Sequence, residues 1–349
     1  IIGVADLMEE IALVYCYDRI PETRLSDALP PQRSNVKLER EERVRDVLIG
    51  LGLQEVITYR MSAPDREARL LPPGTPADER PYVRLANPIA SDKVAMRHSL
   101  VNSVLEVVER NARVRDRLAL FEIGPVFFPS AEKLLPDEID YLVIVMTGPQ
   151  NEEGWQGADP AALDFYDLKG VLEGLFDGLH LDAVRFAPCD DAPSFHPGKC
   201  ARMTVNGEHL GVMGELHPLV HANYEVPEAA LLVAEIHLDT LLAGIRERYN
   251  IRAVPAYPPA VEDLAVIVEE ERPAEQVAEV IQKAGGELLA GLRLFDVYRG
   301  AQLGEGKKSL AYRLTYQSPD HTLDEKELGQ VRQQVIRALE RELGAQLRS

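Results

Sequence analysis

Residues 308–317 read KSLAYRLTYQ. Leu310, Tyr312, Leu314 and Tyr316 alternate with Ala311, Arg313 and Thr315. A period of two puts the first set on one face of a strand and the second set on the other. The flanking segments complete a unit around it. DLAVIVEE (263–270) has strand character, and a helix follows over 273–284 with Pro273 near its first turn. LLAGLRLFDVY (288–298) is a second strand ahead of the quoted one. A long helix spans 322–343, where Thr322 and Glu325 have capping-box spacing. The tail 344–349 supplies a last short strand. The order βαββαβ predicts a ferredoxin-like domain over residues 256–349.

Pro255, Pro258 and Pro259 separate this unit from the residues before it. There the pattern mixes helices and strands, an α+β arrangement spanning 38–250. An amphipathic helix covers 38–53 with Val44, Val47, Leu48 and Leu51 inward, and a strand follows at 54–60. Residues 64–80 read as a Pro- and Glu-rich loop, and 98–112 as a helix. Two apolar runs, 117–128 and 139–147, read as central strands. A loop over 149–162 and a helix over 164–179 follow. Asn206-Gly207 lies between two apolar runs, a hairpin signal because both residues tolerate positive φ. A strand at 230–237 and a helix near 239–247 close the block. Residues 1–25 form a separate piece: a helix over 5–16 with Leu7, Ile11 and Val14 or Tyr15 on one face, then a linker over 22–37.

The 349 residues carry a formal charge of −19, which argues against a simple basic nucleic-acid module. Residues 255–349 hold 12 Lys and Arg against 16 Asp and Glu, a net of −4, and the other 254 hold the remaining −15. RNA contact would therefore come from local basic clusters or stacking. Cys16, Cys189 and Cys200 form no C-x-x-C pair, so a zinc site or disulfide framework is not expected and a reducing cytoplasm fits. No apolar run approaches the roughly 18 residues of a membrane span. The start at Ile1, without a signal peptide, reads as an internal cut.

Several side chains could carry chemistry. Asp6, Glu9 and Glu10 share one helix face. Oxygen ligands at that spacing suit Mg²⁺, but spacing alone favours a solvated acidic helix start stabilised by the helix dipole. His217 and His221 stand four apart, but Pro218 puts His217 outside the helix, which favours a capping role over a metal site. FHPGKCA (195–201) reads as a turn before a strand. GEGKKS (304–309) lacks the spacing of a phosphate-binding loop and precedes a strand, so it reads as a flexible basic tip. Arg299, Lys307, Lys308 and Arg313 gather near it and could meet a phosphate backbone. Tyr298, Tyr312 and Tyr316 offer stacking faces if they line an open sheet, or core if they lie under the helices.

These segments resemble the bacterial phenylalanyl-tRNA synthetase β subunits. ADLMEEIALVYCYDRIP (5–21) resembles the end of the small domain that precedes their synthetase-like core. VRLANPIASDKVAMRHSLVNSVLEVVERN (83–111), LALFEIGPVFF (118–128), DFYDLKGVLEGL, FHPGK and NGEHLGVMGELHP (206–218) resemble that core. YPPAVEDLAVIVEE, LFDVYRG, GKKSLAYRLTYQSPDHTL and LGAQLR resemble the ferredoxin-fold anticodon-binding domain. The resemblance implies a class II aminoacyl-tRNA synthetase-like antiparallel sheet with helices, followed by the ferredoxin-like domain. It implies an (αβ)₂ heterotetramer that charges tRNA-Phe, with ATP and phenylalanine bound by the α subunit and the β core a degenerate copy. It places Mg²⁺ on Asp6, Glu9 and Glu10, which match the last three ligands of the family's set, the first falling just before Ile1. Editing resides in family domains outside this sequence. LFEIG (120–124) lacks the Arg-x-Glu element of active class II sites, and residues 235–248 lack a Gly-rich approach to an arginine. Glu262 stands where the family usually has Arg. The rival expectation is a stand-alone synthetase-like paralogue, an interaction protein without tRNA charging; a hydrolase using His196 or His217 is a more distant one.

Overall fold

The computed structural model describes all residues except 1, 2, 25, 27–30, 32, 77, 153, 156, 158–160, 247, 249–253 and 349. The chain folds as two units, Ile1–Tyr249 and Asn250–Ser349.

In chain order the first unit contains α1 (Val4–Tyr15), α2 (Val36–Gly50), β1 (Gln54–Glu55), β2 (Met61–Ser62), α3 (Pro64–Glu67), β3 (Ala95–Met96) and α4 (Leu100–Asn111). Then come β4 (Leu118–Phe128), β5 (Asp137–Thr147), α5 (Phe165–Gly178), β6 (Val184–Pro188) and β7 (Phe195–Val205). It ends with β8 (Glu208–Leu216), α6 (Pro218–His221), β9 (Leu232–His237) and α7 (Leu238–Gly244). Seven strands form one sheet in the order β1-β4-β5-β9-β8-β7-β6. Only β1 and β4 run parallel; the other neighbours are antiparallel.

Both faces of this sheet are covered, which explains the unbroken apolar runs of β4 and β5. On one side Phe121, Leu142, Ile144, Ala234 and Ile236 meet Leu48 of α2, Leu168 and Leu172 of α5 and Leu241 of α7. On the other, Leu118, Leu120, Val143, Val145 and Val233 meet Leu100, Val104, Leu105 and Val108 of α4. The β7–β8 hairpin turns on Asn206 and Gly207, at φ of 52° and 87°, as the dipeptide predicts. At Gly211 a Cβ would sit 2.1 Å from the carbonyl oxygen of Glu235, so close strand approach requires glycine there.

The second unit contains β10 (Ala260–Glu269), α8 (Ala274–Gly285), β11 (Leu289–Tyr298), β12 (Lys307–Tyr316), α9 (Glu325–Leu343) and β13 (Gln346–Leu347). Its sheet has the order β11-β12-β10-β13 with antiparallel neighbours. This is the ferredoxin arrangement the alternation predicts. Val277 and Ile281 of α8 and Val331, Val335 and Leu339 of α9 bury Val266, Val268, Leu310, Tyr312, Leu314 and Tyr316.

The structure departs from the sequence reading in four places. The predicted loop 64–80 opens with α3, whose first helical position is Pro64, where a missing N–H costs nothing. The predicted strand 54–60 is paired only at Gln54–Glu55. Asp324, not Thr322, caps α9: its carboxylate accepts from Glu327 N at 2.8 Å, and its own N–H donates to Glu327 Oε2 at 3.1 Å. On α1, Leu7, Ile11 and Val14 are exposed. Cys16 is exposed and Cys189 and Cys200 are buried, all as free thiols. Among the described residues no helix is long and apolar enough to cross a membrane.

Candidate nucleic-acid interface

Strand alternation in the second unit gives the sheet a core face and a face without helices. Tyr312 and Tyr316 lie on the core face, each 1% exposed. Tyr312 donates to the Ala274 carbonyl at 2.7 Å, and burial pushes the Tyr316 phenol up to about 12. Of the two readings left open for these tyrosines, the structure selects core.

The helix-free face carries a different set. Asp263 of β10, Arg313 of β12 and Arg293 of β11 are in register across three strands. Arg313 clamps Asp263 through Nε and Nη2, both at 2.8 Å. That pair holds the Asp263 carboxyl below its ordinary value and the Arg313 guanidinium above its own. The same guanidinium lies 5.2 Å from the ring centre of Phe295, which is 47% exposed. Arg293 is exposed and has no ion-pair partner among the described residues. At the far end Arg348 lies 4.5 Å over the Tyr298 ring. Arginine planes beside exposed aromatic rings on an open sheet can stack bases and meet phosphates together.

The predicted basic tip is more neutralised than its sequence suggests. Arg299 reaches Glu270 Oε1 at 2.9 Å from Nε and 2.8 Å from Nη2. Lys308 donates to the Glu270 main-chain carbonyl at 2.6 Å. Lys307 is half-buried at the start of β12. Arg299, Lys307 and Lys308 thus cluster around the start of β12, whereas Arg313 sits mid-strand beside Arg293. Arg293, Phe295 and Arg348 were missed; for the first two, register shifts in β11 hide their face from simple alternation. Glu262 faces α9, where Arg332 donates to its Oε1 at 3.4 Å. Its reversed charge therefore answers a helix arginine.

In α1, Asp6 accepts from the Gly3 N–H at 3.0 Å, a capping contact. Glu9 and Glu10 are exposed. Among the described residues no three His, Cys, Asp or Glu side chains converge to hold a metal.

In the first unit the position two before Glu122 is Leu120, 5% exposed in the apolar cluster under α4. Glu122 itself is tied up internally. Arg97, 1% exposed, donates to Glu122 Oε1 at 3.2 Å, to Thr58 Oγ1 at 2.8 Å and to the Pro125 carbonyl at 2.8 Å. Thr58 in turn donates its hydroxyl to Glu122 Oε2 at 2.7 Å. This network pins the segment so that Ile57 and Tyr59 project outward, 90% and 73% exposed. His217 accepts from Leu219 N at 3.1 Å as the N-cap of α6, the capping role its sequence predicts. His196 accepts from Gly198 N at 3.0 Å within its turn.

Comparison with known proteins agrees with this architecture. The second unit matches the model described as a ferredoxin-fold anticodon binding domain over residues 255–348. It thus belongs to the class of ferredoxin-fold anticodon-binding domains. Residues 20–238 match the model described as the phenylalanyl tRNA synthetase beta chain CLM domain. The chain belongs to the phenylalanyl-tRNA synthetase β chain family. It is 37% identical to the phenylalanine–tRNA ligase beta subunit of Clostridium tetani, over 98% of this chain and 42% of that protein. The same subunit of Geobacillus kaustophilus is 38% identical over 98% of this chain and 42% of its own length. That of Moorella thermoacetica is 39% identical over 99% and 43%. The chain therefore spans about two fifths of the length of these relatives.

Proposed function

We propose that this chain is the part of a phenylalanine–tRNA ligase β subunit that supports ATP-dependent attachment of phenylalanine to tRNA-Phe and contacts the tRNA. The aminoacylation site, with its ATP and phenylalanine, belongs to an α subunit, Asp6, Glu9 and Glu10 supply part of a Mg²⁺ ligand set, and the assembly is an (αβ)₂ heterotetramer in the cytoplasm. Residues 38–250 act as a class II synthetase-like, non-catalytic core that docks α, and residues 256–349 bind tRNA. Leu120 in place of an Arg-x-Glu arginine supports the non-catalytic assignment. The exposed Ile57 and Tyr59, held outward by the Thr58–Glu122 bonds, support docking.

The observation that carries the tRNA reading is the helix-free sheet face, where Arg293 and Arg313 flank exposed Phe295. The test is fluorescence anisotropy of labelled tRNA-Phe with the full-length αβ complex. Phe295→Ala removes a stacking surface worth about 1–3 kcal/mol per base, so affinity falls about tenfold. Arg293→Glu weakens binding and makes the salt dependence shallower by about one ion. Unchanged affinity in both variants refutes the face. Charge reversal of Lys307 and Lys308 measures whether the tip contributes as well.

A further inference from the structure

On the α4 side of the first unit's sheet lies a cavity of about 320 Å³. Its floor includes Tyr141 of β5 and Glu235 of β9, and its walls include Tyr82, His98 and Phe128. Glu235 pairs in register with Val143 and Val212, so it points to the same face as Val143 and Val233. No donor among the described residues reaches its carboxylate. Desolvation is the one cause acting on it, and pushes the carboxyl up to about 7.

His98 is the second unsatisfied group. Its side chain is 3% exposed and stacks on Tyr82 with ring centres 3.7 Å apart. Neither ring nitrogen has a partner in hydrogen-bond geometry; Nδ1 stands 3.4 Å from Asp78 Oδ2. Burial holds the imidazole below its ordinary value, with the Asp78 charge and the Pro81 carbonyl acting the other way.

Glu67 and Arg80 of the cavity are already engaged. Glu67 accepts from His98 N at 3.1 Å and from the Tyr82 hydroxyl at 3.1 Å. Arg80 is clamped by Asp78, at 2.9 Å from Nε and 2.7 Å from Nη2, and lies 4.0 Å over the Phe128 ring. The cavity therefore offers one open carboxylate, aromatic walls and no unpaired cation. A phosphate or carboxylate ligand would find no counter-charge, and the volume is at the small end for ligand sites. An ammonium supplies three donors and one positive charge.

We propose that this cavity binds a compact primary amine on an apolar or aromatic body, with its ammonium on Glu235. The ammonium pairs with the Glu235 carboxylate. The aromatic walls of Tyr82, Phe128 and Tyr141 enclose the body. The site is separate from the tRNA face and does not depend on it.

The test uses the full chain at pH 8 and three probes in calorimetric titration: 2-phenylethylamine, the neutral 2-phenylethanol, and the zwitterion phenylalanine. The amine is expected to bind saturably, with the alcohol and phenylalanine weaker by about tenfold or more. Glu235→Gln, a near-isosteric change, is expected to weaken the amine by a similar factor. The His98 ring resonances in ¹³C–¹H NMR should move with the same saturation curve. Lack of amine binding, equal binding of all three probes, or unchanged binding by Glu235→Gln overturns the proposal. Heat of binding without movement of the His98 resonances places the ligand elsewhere and also overturns it.

Discussion

Replacing Arg97 with Met should unlock the first unit at β4. The guanidinium is 1% exposed and its partner Glu122 is 3% exposed. The substitution removes the donors to Glu122, Thr58 and the Pro125 carbonyl while leaving the carboxylate inside. Breaking one side of a buried ion pair costs about 3–5 kcal/mol, because the surviving charge is uncompensated. Thr58 still donates to Glu122, which puts the expected loss near the lower figure, about 3 kcal/mol. The chain has two units, so a single melting curve would mix two transitions. Hydrogen exchange read by mass spectrometry separates them. Peptides covering β4 and β5 should exchange about a hundredfold faster in the variant, the equivalent of about 3 kcal/mol. Peptides from β12 serve as the internal reference and should not change. Adding Glu122→Gln to Arg97→Met should restore part of the loss, since no charge then remains buried. If the single variant exchanges within about threefold of the parent, or if the double variant is worse than the single, the electrostatic account of this network is wrong.

Other perturbations address separate elements. Gly124→Ala would bring a Cβ within 2.5 Å of Arg97 Nη2, so it should destabilise the parent and cost much less in Arg97→Met, a coupling that a double-mutant cycle in urea would measure. Glu235 has a folded-state value of about 7 against an ordinary 4.5, so its contribution to stability is fully present below about 4.5 and is lost as pH rises through about 7. Glu67 titrates in the same window for the same reason, burial. Glu235→Gln should therefore raise the first unit's urea midpoint relative to the parent at pH 8, converge with it at pH 4, and leave a residual slope from Glu67. Asp324→Ala removes the N-cap of α9 and should lower second-unit stability by about 1 kcal/mol in thermal unfolding.

The second unit was legible because its signals are local. Alternation in 308–317 assigned Leu310, Tyr312, Leu314 and Tyr316 to one face, and all four are core. The Asn206-Gly207 hairpin was likewise encoded in two adjacent residues. What escaped depends on distance or on geometry without a compositional mark. The short strand at Gln54–Glu55 ends because Glu122, 64 residues from Thr58, captures that side chain. The basic tip looked free in sequence because Glu270 lies 29 residues from Arg299. Arg293 and Phe295 stand in a strand whose register shifts between Leu289 and Gly291 and again between Leu294 and Asp296. Simple alternation cannot be carried through such shifts to say which face a residue joins. The cavity at Glu235 collects residues from α3, α4, β4, β5, β7, β8, β9 and the loops between them, a convergence that no spacing rule reports.

Those two shifts in β11 have a consequence for assembly. β11 is one border of the four-stranded sheet, and the two-residue β13 is the other. An incoming extended chain needs a straight run of evenly spaced N–H and C=O groups to add itself as a new strand. The irregular border at β11 denies that run on one side, and β13 shields part of β10 on the other. The unit is thereby guarded against edge-to-edge polymerisation, and against peptides that recognise main chain alone. What it leaves open to a partner is its broad face, read side chain by side chain.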